Sequence, residues 1–163
     1  SQDKSICGVR SALFGRKWKK LKVIACMGDN NGMLFNNRRV SSDRAVTEDI
    51  IRMVSKEVES GRKIKLWMNG YSSRLFETDQ IDSCVSEMFL QEAGRDDYCF
   101  VENVSLQEYE NKIQTVVLYR WNRKYPADIR FTMDLSEWTL KEQIEFQGHS
   151  HEKITKEVYF RGK

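Results

Sequence analysis

Residues 63–77, KIKLWMNGYSSRLFE, constrain the fold more than any other stretch of the chain. The run 64–68 is apolar, β-branched and aromatic. It breaks at Asn69-Gly70 and resumes as a short helix for which Ser72 is the expected N-cap. A buried strand that turns directly into a helix belongs to an α/β protein, where it sets a helix N-terminus at the carboxyl edge of a sheet. Nucleotide phosphates are held at such edges, because the first N–H groups of a helix point outward unpaired. Asn69, Gly70, Ser72 and Ser73 are therefore the first candidates for a phosphate site.

The other elements follow the same alternation. Residues 21–27, LKVIACM, read as a strand buried on both faces, ended by the turn residues Gly28-Asp29-Asn30-Asn31-Gly32. The spacing predicts a loop over 33–40 and an amphipathic helix over 42–60, with Val46, Ile50, Met53, Val54 and Val58 on its apolar face. Ser41 or Ser42 is the expected cap at its start, and Gly61 the residue that ends it. Ile81, Val85, Met88 and Phe89 predict a second amphipathic helix closed by Gly94. A short strand is expected at 98–101, a short helix through Leu106, Tyr109 and Ile113, and a strong strand at 115–121. The last third predicts two strands, through Trp138 to Phe146 and Ile154 to Phe160, joined by the polar residues 147–153. The whole reads as an α/β fold with a mainly parallel central sheet, flanking helices and a C-terminal antiparallel hairpin.

Charge separates the chain into two parts. Residues 1–20 are a basic N-terminal extension and residues 21–163 a single expected domain, with one Pro and no Ser/Gly-rich run to mark a linker. Between Arg10 and Lys22 lie six cations (Arg10, Arg16, Lys17, Lys19, Lys20, Lys22) and no acid. With Trp18 and Phe14 interleaved, Arg16, Lys17, Lys19 and Lys20 form a candidate phosphate or nucleic-acid arm, although a solvated arm with one anchoring ring has the same composition. The net charge of +3 alone calls for no nucleic-acid partner. Four cysteines without a CxxC pair are expected as free thiols in a reducing compartment. No run approaches the roughly 20 apolar residues of a membrane helix, so a cytoplasmic protein without a membrane partner is expected. His149-Ser150-His151 reads as a solvated loop, and no metal site is expected, since zinc takes about four ligands.

The succession Val23-Ile24-Ala25 with its Asn/Asp/Gly turn, the acid-bearing helix, Met68-Asn69-Gly70-Tyr71-Ser72-Ser73, Phe100 to Leu106 with Tyr109, Val117-Leu118-Tyr119-Arg120 and the closing hairpin resembles dihydrofolate reductase over about residues 21–161. The resemblance implies NADPH as cofactor and dihydrofolate as substrate. It implies Asp49, or else Glu48, as the acid that hydrogen-bonds the pterin. It places Asn69, Gly70, Ser72, Ser73, Glu102 and Asn103 around the cofactor phosphates.

The departures gather where that chemistry belongs. The family's Pro-Trp is absent near Arg39-Val40-Ser41, its segment framing the adenosine has no counterpart between Glu77 and Ile81, and its Thr partner of the substrate acid stands as Tyr119. Glu102-Asn103 replaces the glycine pair beside the pyrophosphate, where a side chain and a negative charge both oppose a phosphate. The sequence therefore implies a degenerate member without efficient reductase activity and with no bound cofactor, reused as a binding or regulatory module for a protein or nucleic-acid partner. The alternative is a working NADPH-dependent reductase of dihydrofolate or of a related pyrimidine.

Overall fold

The computed structural model describes residues 20–162. Arg16, Lys17 and Lys19 of the basic arm lie outside the described residues, and Lys20 is exposed. In chain order the elements are β1 (Leu21–Met27), β2 (Gly32–Phe35), β3 (Arg38–Arg39), α1 (Arg44–Glu59), β4 (Leu66–Met68), α2 (Gly70–Ser73) with a 3-10 turn (Arg74–Phe76), β5 (Ser83–Val85), α3 (Phe89–Glu92), β6 (Tyr98–Phe100), a 3-10 helix (Gln107–Lys112), β7 (Ile113–Arg120), β8 (Ile129–Arg130), β9 (Thr139–Phe146) and β10 (Ile154–Phe160).

β1 sits near the middle of a seven-stranded sheet of order β5-β4-β6-β1-β7-β10-β9. It pairs in parallel with β6 and β7, and β4 pairs in parallel with β5 and β6. β10 runs antiparallel to β7, and β9 antiparallel to β10. The mainly parallel sheet and closing hairpin are those expected from the alternation of strand and helix patterns.

Around β1 both faces of the sheet are buried. Leu21, Val23, Ala25 and Met27 point to one face with Trp67, Cys99, Val116 and Leu118. Ile24 points to the other, where Leu66, Met68, Phe100, Val117 and Tyr119 meet Val46, Ile50 and Val54 of α1. Each fully buried aliphatic side chain contributes about 1.5–3 kcal/mol, so the Val46-Ile50-Val54 stripe, with helical spacing, holds α1 on the sheet. Val58, predicted on the same stripe, is exposed, while its neighbour Glu57 meets Lys22 and Tyr98 on the sheet. Gly61 has φ of 101° and ends the helix as expected.

Several predicted elements differ. The cap of α1 is Asp43, whose Oδ1 accepts the Ala45 N–H at 2.9 Å, and not Ser41 or Ser42. The loop expected at 33–40 is a hairpin, β2–β3, turned by Asn36 and Asn37 with φ of 52° and 63°. Two successive positive-φ residues make the turn that suits the twist of a hairpin, and Asn tolerates it. β8 joins this hairpin as a third strand. The helix expected across 81–89 is instead β5 followed by the short α3. Its spacing fits a helix, but Ser83, Cys84 and Val85 find ladder partners in Leu66, Trp67 and Met68, and tertiary pairing outweighs a four-residue repeat.

Candidate functional site

The turn after β4 carries the residues proposed to meet phosphate, and their side-chain donors and the Gly70 and Ser72 N–H groups are already engaged. α2 begins earlier than expected, with Asn69 as its N-cap: Asn69 Oδ1 accepts the Ser72 N–H at 3.2 Å. Ser72 therefore lies inside the helix. Its hydroxyl donates to Glu102 Oε1 at 2.8 Å. The Gly70 N–H donates to Glu87 Oε2 at 2.9 Å, and Ser73 Oγ donates back to the Gly70 carbonyl. Asn69 Nδ2 donates to Asn103 Oδ1 at 2.7 Å, tying the β4 turn to the loop after β6.

Glu102 is buried in the loop after β6, and burial of a carboxylate requires partners. Arg39 of β3 supplies them in a two-pronged pair, Nε to Oε2 at 2.8 Å and Nη2 to Oε1 at 3.0 Å. This geometry gives a charge-assisted fork. Its hydrogen bonds to Glu102 raise the Arg39 pKa above its ordinary value, against the effect of burial. The guanidinium also lies 4.6 Å from the centre of the Tyr71 ring, and the Arg39 N–H donates to Tyr71 Oη at 2.9 Å. The β2–β3 hairpin is thus clasped onto α2 and Glu102. Beside them, burial and then the Glu102 charge push the Cys26 thiol pKa up, which favours the protonated thiol.

Asp49 lies on α1 against the sheet and is held in an ion cluster. Tyr119 Oη donates to its Oδ2 at 2.6 Å, Lys156 Nζ of β10 lies 3.0 Å from the same oxygen, and Arg52 is 3.6 Å from Oδ1. Burial first, then the Asp49 charge, push the Tyr119 phenol pKa well up, so it serves only as a donor. Glu48, the other candidate acid, points away to solvent with His149 at 3.9 Å. The fold brings Asp49 to Tyr119, which stands where the family has Thr, and to Lys156, of which the sequence gives no sign and which reaches Asp49 from a strand near the C-terminus.

Two clefts border these groups. One of about 520 Å³ is lined by Met33, Asn103, Leu106, Arg130, Phe131 and Met133 among others. The second is far smaller, about 20 Å³, and lies between Ser41, Thr47, Phe76, Glu102 and Trp121. Packed against Asp43 and Trp121, the 147–153 connection departs from the solvated loop expected of it. His149 is exposed, but His151 is buried, with Nδ1 at 2.8 Å from Asp43 Oδ2 and Trp121 stacked on its ring at 4.6 Å. Gly148 permits this approach, since a Cβ there would meet Asp43 Oδ2 at 2.5 Å. Burial alone would raise the Asp43 pKa, but hydrogen bonds from His151, His149, Ser150 and Ala45 outweigh it and hold the carboxyl well below its usual range. Among the described residues no group of three or more His, Cys, Asp or Glu is placed to hold a metal, and no helix is long and apolar enough to cross a membrane.

Among solved structures the chain is similar to dihydrofolate reductase from Enterococcus faecalis complexed with NADP(H) and RAB-propyl, with a TM-score of 0.58 over 88% of this chain and 97% of that one, at 9% identity. The fold is that of dihydrofolate reductase. No protein-family model and no curated protein sequence matches the chain. At this identity the likeness is one of fold.

Proposed function

We propose that this chain is a dihydrofolate-reductase-like protein without efficient reductase activity, reused as a binding or regulatory module for a protein or nucleic-acid partner. The observation that carries the reading is the pairing of Glu102 with Ser72 and Arg39. A pyrophosphate needs free donors at this turn, and here Ser72 Oγ and the Gly70 N–H are given to the carboxylates of Glu102 and Glu87. Glu102, neutralised by Arg39, opposes a phosphate by occupying its donors, and Glu87 adds an anion at the turn. These residues, as they stand, do not fit the phosphates of NADPH. Leu140 and Ile144 of β9 and Phe160 of β10 stay 44%, 43% and 41% exposed, which supports apolar contact with a protein along the outer strands. The basic arm with Arg16, Lys17, Lys19 and Lys20 is the route for a nucleic-acid partner, whose affinity would fall steeply with salt.

Titration with NADPH, followed by quenching of tryptophan fluorescence, tests the reading. No saturable quenching is expected; a dissociation constant in the micromolar range or tighter overturns it.

A second reading, NADPH-dependent reduction of dihydrofolate or a related pyrimidine, draws support from the Asp49–Tyr119 contact and from the NADP(H)-complexed neighbour. Dihydrofolate-dependent loss of NADPH absorbance in the wild type, abolished by Asp49→Asn, would establish it. An inert wild type removes it.

A further inference from the structure

The 520 Å³ cleft opens between the three-stranded sheet and the loop that follows β6. Its apolar residues Met33, Val101, Leu106 and Phe131 are buried and belong to the core on the face of the main sheet opposite α1. Of the residues that the resemblance places at the cofactor or the substrate, Asn103 alone lines it.

The walls are tied in place by backbone hydrogen bonds, so the cleft is formed before anything enters it. On one side the Val101 N–H donates to the Ile24 carbonyl at 2.9 Å. On the other the Asp128 and Phe131 N–H groups donate to the carbonyls of Leu34 and Asn31, each at 2.9 Å. Gly32 admits this approach of β8 to β2, since a Cβ on it would collide with the Ala127 Cβ. A preformed, mostly apolar cleft of roughly 300–1,000 Å³ with a few polar groups is the usual form of a small-molecule site.

The polar groups on the walls indicate the charge of what fits. Arg130 of β8 lines the cleft, is exposed, and has no side-chain hydrogen bond or ion pair among the described residues. Asp128, the other charged residue of the lining, is already engaged: its Oδ2 accepts the Asn36 N–H at 3.1 Å. Asn103 gives its Oδ1 to Asn69 and keeps its Nδ2 donor without a partner. A guanidinium is always charged, and its paired N–H donors match the two oxygens of a carboxylate. One negative charge is thus balanced by Arg130, whereas a phosphate dianion would face a single cation and the repulsion of Asp128.

We propose that this cleft binds a small apolar carboxylic acid, with its ring or branched chain on Met33, Val101, Leu106 and Phe131 and its carboxylate on Arg130. An exposed arginine on a strand needs no partner. Arg130 differs in standing on the wall of a cleft whose apolar floor is assembled from β2, the loop after β6 and the segment after β8. A ligand held there bridges the three-stranded sheet and the loop that carries Glu102. The site goes beyond the function proposed above and does not depend on it.

Titration of the full chain with 2-naphthoate, followed by backbone amide chemical shifts, tests the assignment. Saturable shifts confined to residues 33–37, 101–106 and 128–133 are expected. The uncharged 2-naphthamide, of the same shape, is expected to bind about tenfold more weakly, the effect of losing one charge-assisted contact. Arg130→Gln, with an unchanged thermal midpoint, is expected to lose about the same factor for naphthoate and nothing for naphthamide. Shifts that do not saturate, shifts centred on β9 and β10 instead, equal affinity for acid and amide, or undiminished naphthoate binding by Arg130→Gln would each overturn the proposal. Saturable quenching by NADPH, the result that overturns the function proposed above, leaves this site untouched.

Discussion

Ser72 donates its side-chain hydrogen bond to Glu102 at 2.8 Å, so a carboxylate of the protein itself stands where the turn after β4 meets the loop after β6. Arg39 grips the same carboxylate from β3. Glu102→Gly removes the anion, frees Ser72 Oγ and leaves the Arg39 guanidinium facing the turn. Loss of one partner of a mostly buried pair is expected to lower stability by about 2 kcal/mol in urea unfolding. The same variant is expected to gain measurable quenching of its tryptophans by NADPH. If affinity stays undetectable in a folded Glu102→Gly protein, the carboxylate is not what closes the turn.

The Asp49 cluster makes a separate prediction. Lys156 Nζ and Tyr119 Oη share Asp49 Oδ2, and the Lys156 side chain is 10% exposed. Tyr119→Phe is expected to cost about 1.5–3 kcal/mol, the range for a hydrogen bond to a charged group. Lys156→Met leaves Asp49 with Tyr119 and the exposed Arg52, and a double-mutant cycle with Asp49→Leu should report a coupling of about 1 kcal/mol between Lys156 and Asp49. A coupling of zero would mean that Lys156 is held by packing along its stem and not by the carboxylate.

What could be read from the chain is what depends on neighbours in sequence. The stripe Val46-Ile50-Val54 and the two-sided burial of β1 follow from periods of a few residues, and both are as read. The sequence also carried the Asn36-Asn37 turn signal, but β2 and β3 are only four and two residues long and show too little alternation to be recognised as strands. At the candidate site the decisive partners are remote. Glu102 reads as an unpaired repulsive charge until Arg39, 63 residues away, is folded onto it. His151 reads as solvated because its flanks are polar; its burial comes from Asp43 and Trp121, neither of which is local. The burial of these polar residues is decided by the tertiary fold, and a one-dimensional pattern has no access to it.

The β2–β3 turn sets the position of Arg39, and it is strained only as far as Asn tolerates. Asn37 has φ of 63°. Asn37→Gly is expected to stabilise the protein by about 0.5 kcal/mol, because the second position of this turn suits Gly best. Asn37→Val places a β-branched side chain at positive φ and is expected to cost about 1–2 kcal/mol, with a parallel weakening of the Arg39–Glu102 pair. Thermal midpoints of the two variants should move in opposite directions; a shift of the same sign in both would show that the turn is not under this backbone constraint.

Acid unfolding should isolate Asp43. Its carboxyl is held below the ordinary value of about 3.9 by hydrogen bonds from His151, His149, Ser150 and Ala45. A carboxyl whose pKa is depressed in the folded state contributes stability that is fully present above its unfolded pKa and is lost as pH falls through the folded one. The Asp43 contribution is therefore expected to be constant from neutral pH down to about 5 and to decline below about 4. Asp43→Asn keeps the shape but not the charge, so it should be less stable than the wild type at neutral pH, and the gap should narrow as acid is added. Other carboxylates titrate in the same range in both proteins, which makes the difference between the two urea midpoints the informative quantity. A gap that stays constant from neutral pH to about 3 would mean that the Asp43–His151 contact stabilises the fold by its shape alone, with no contribution from the ionised carboxylate.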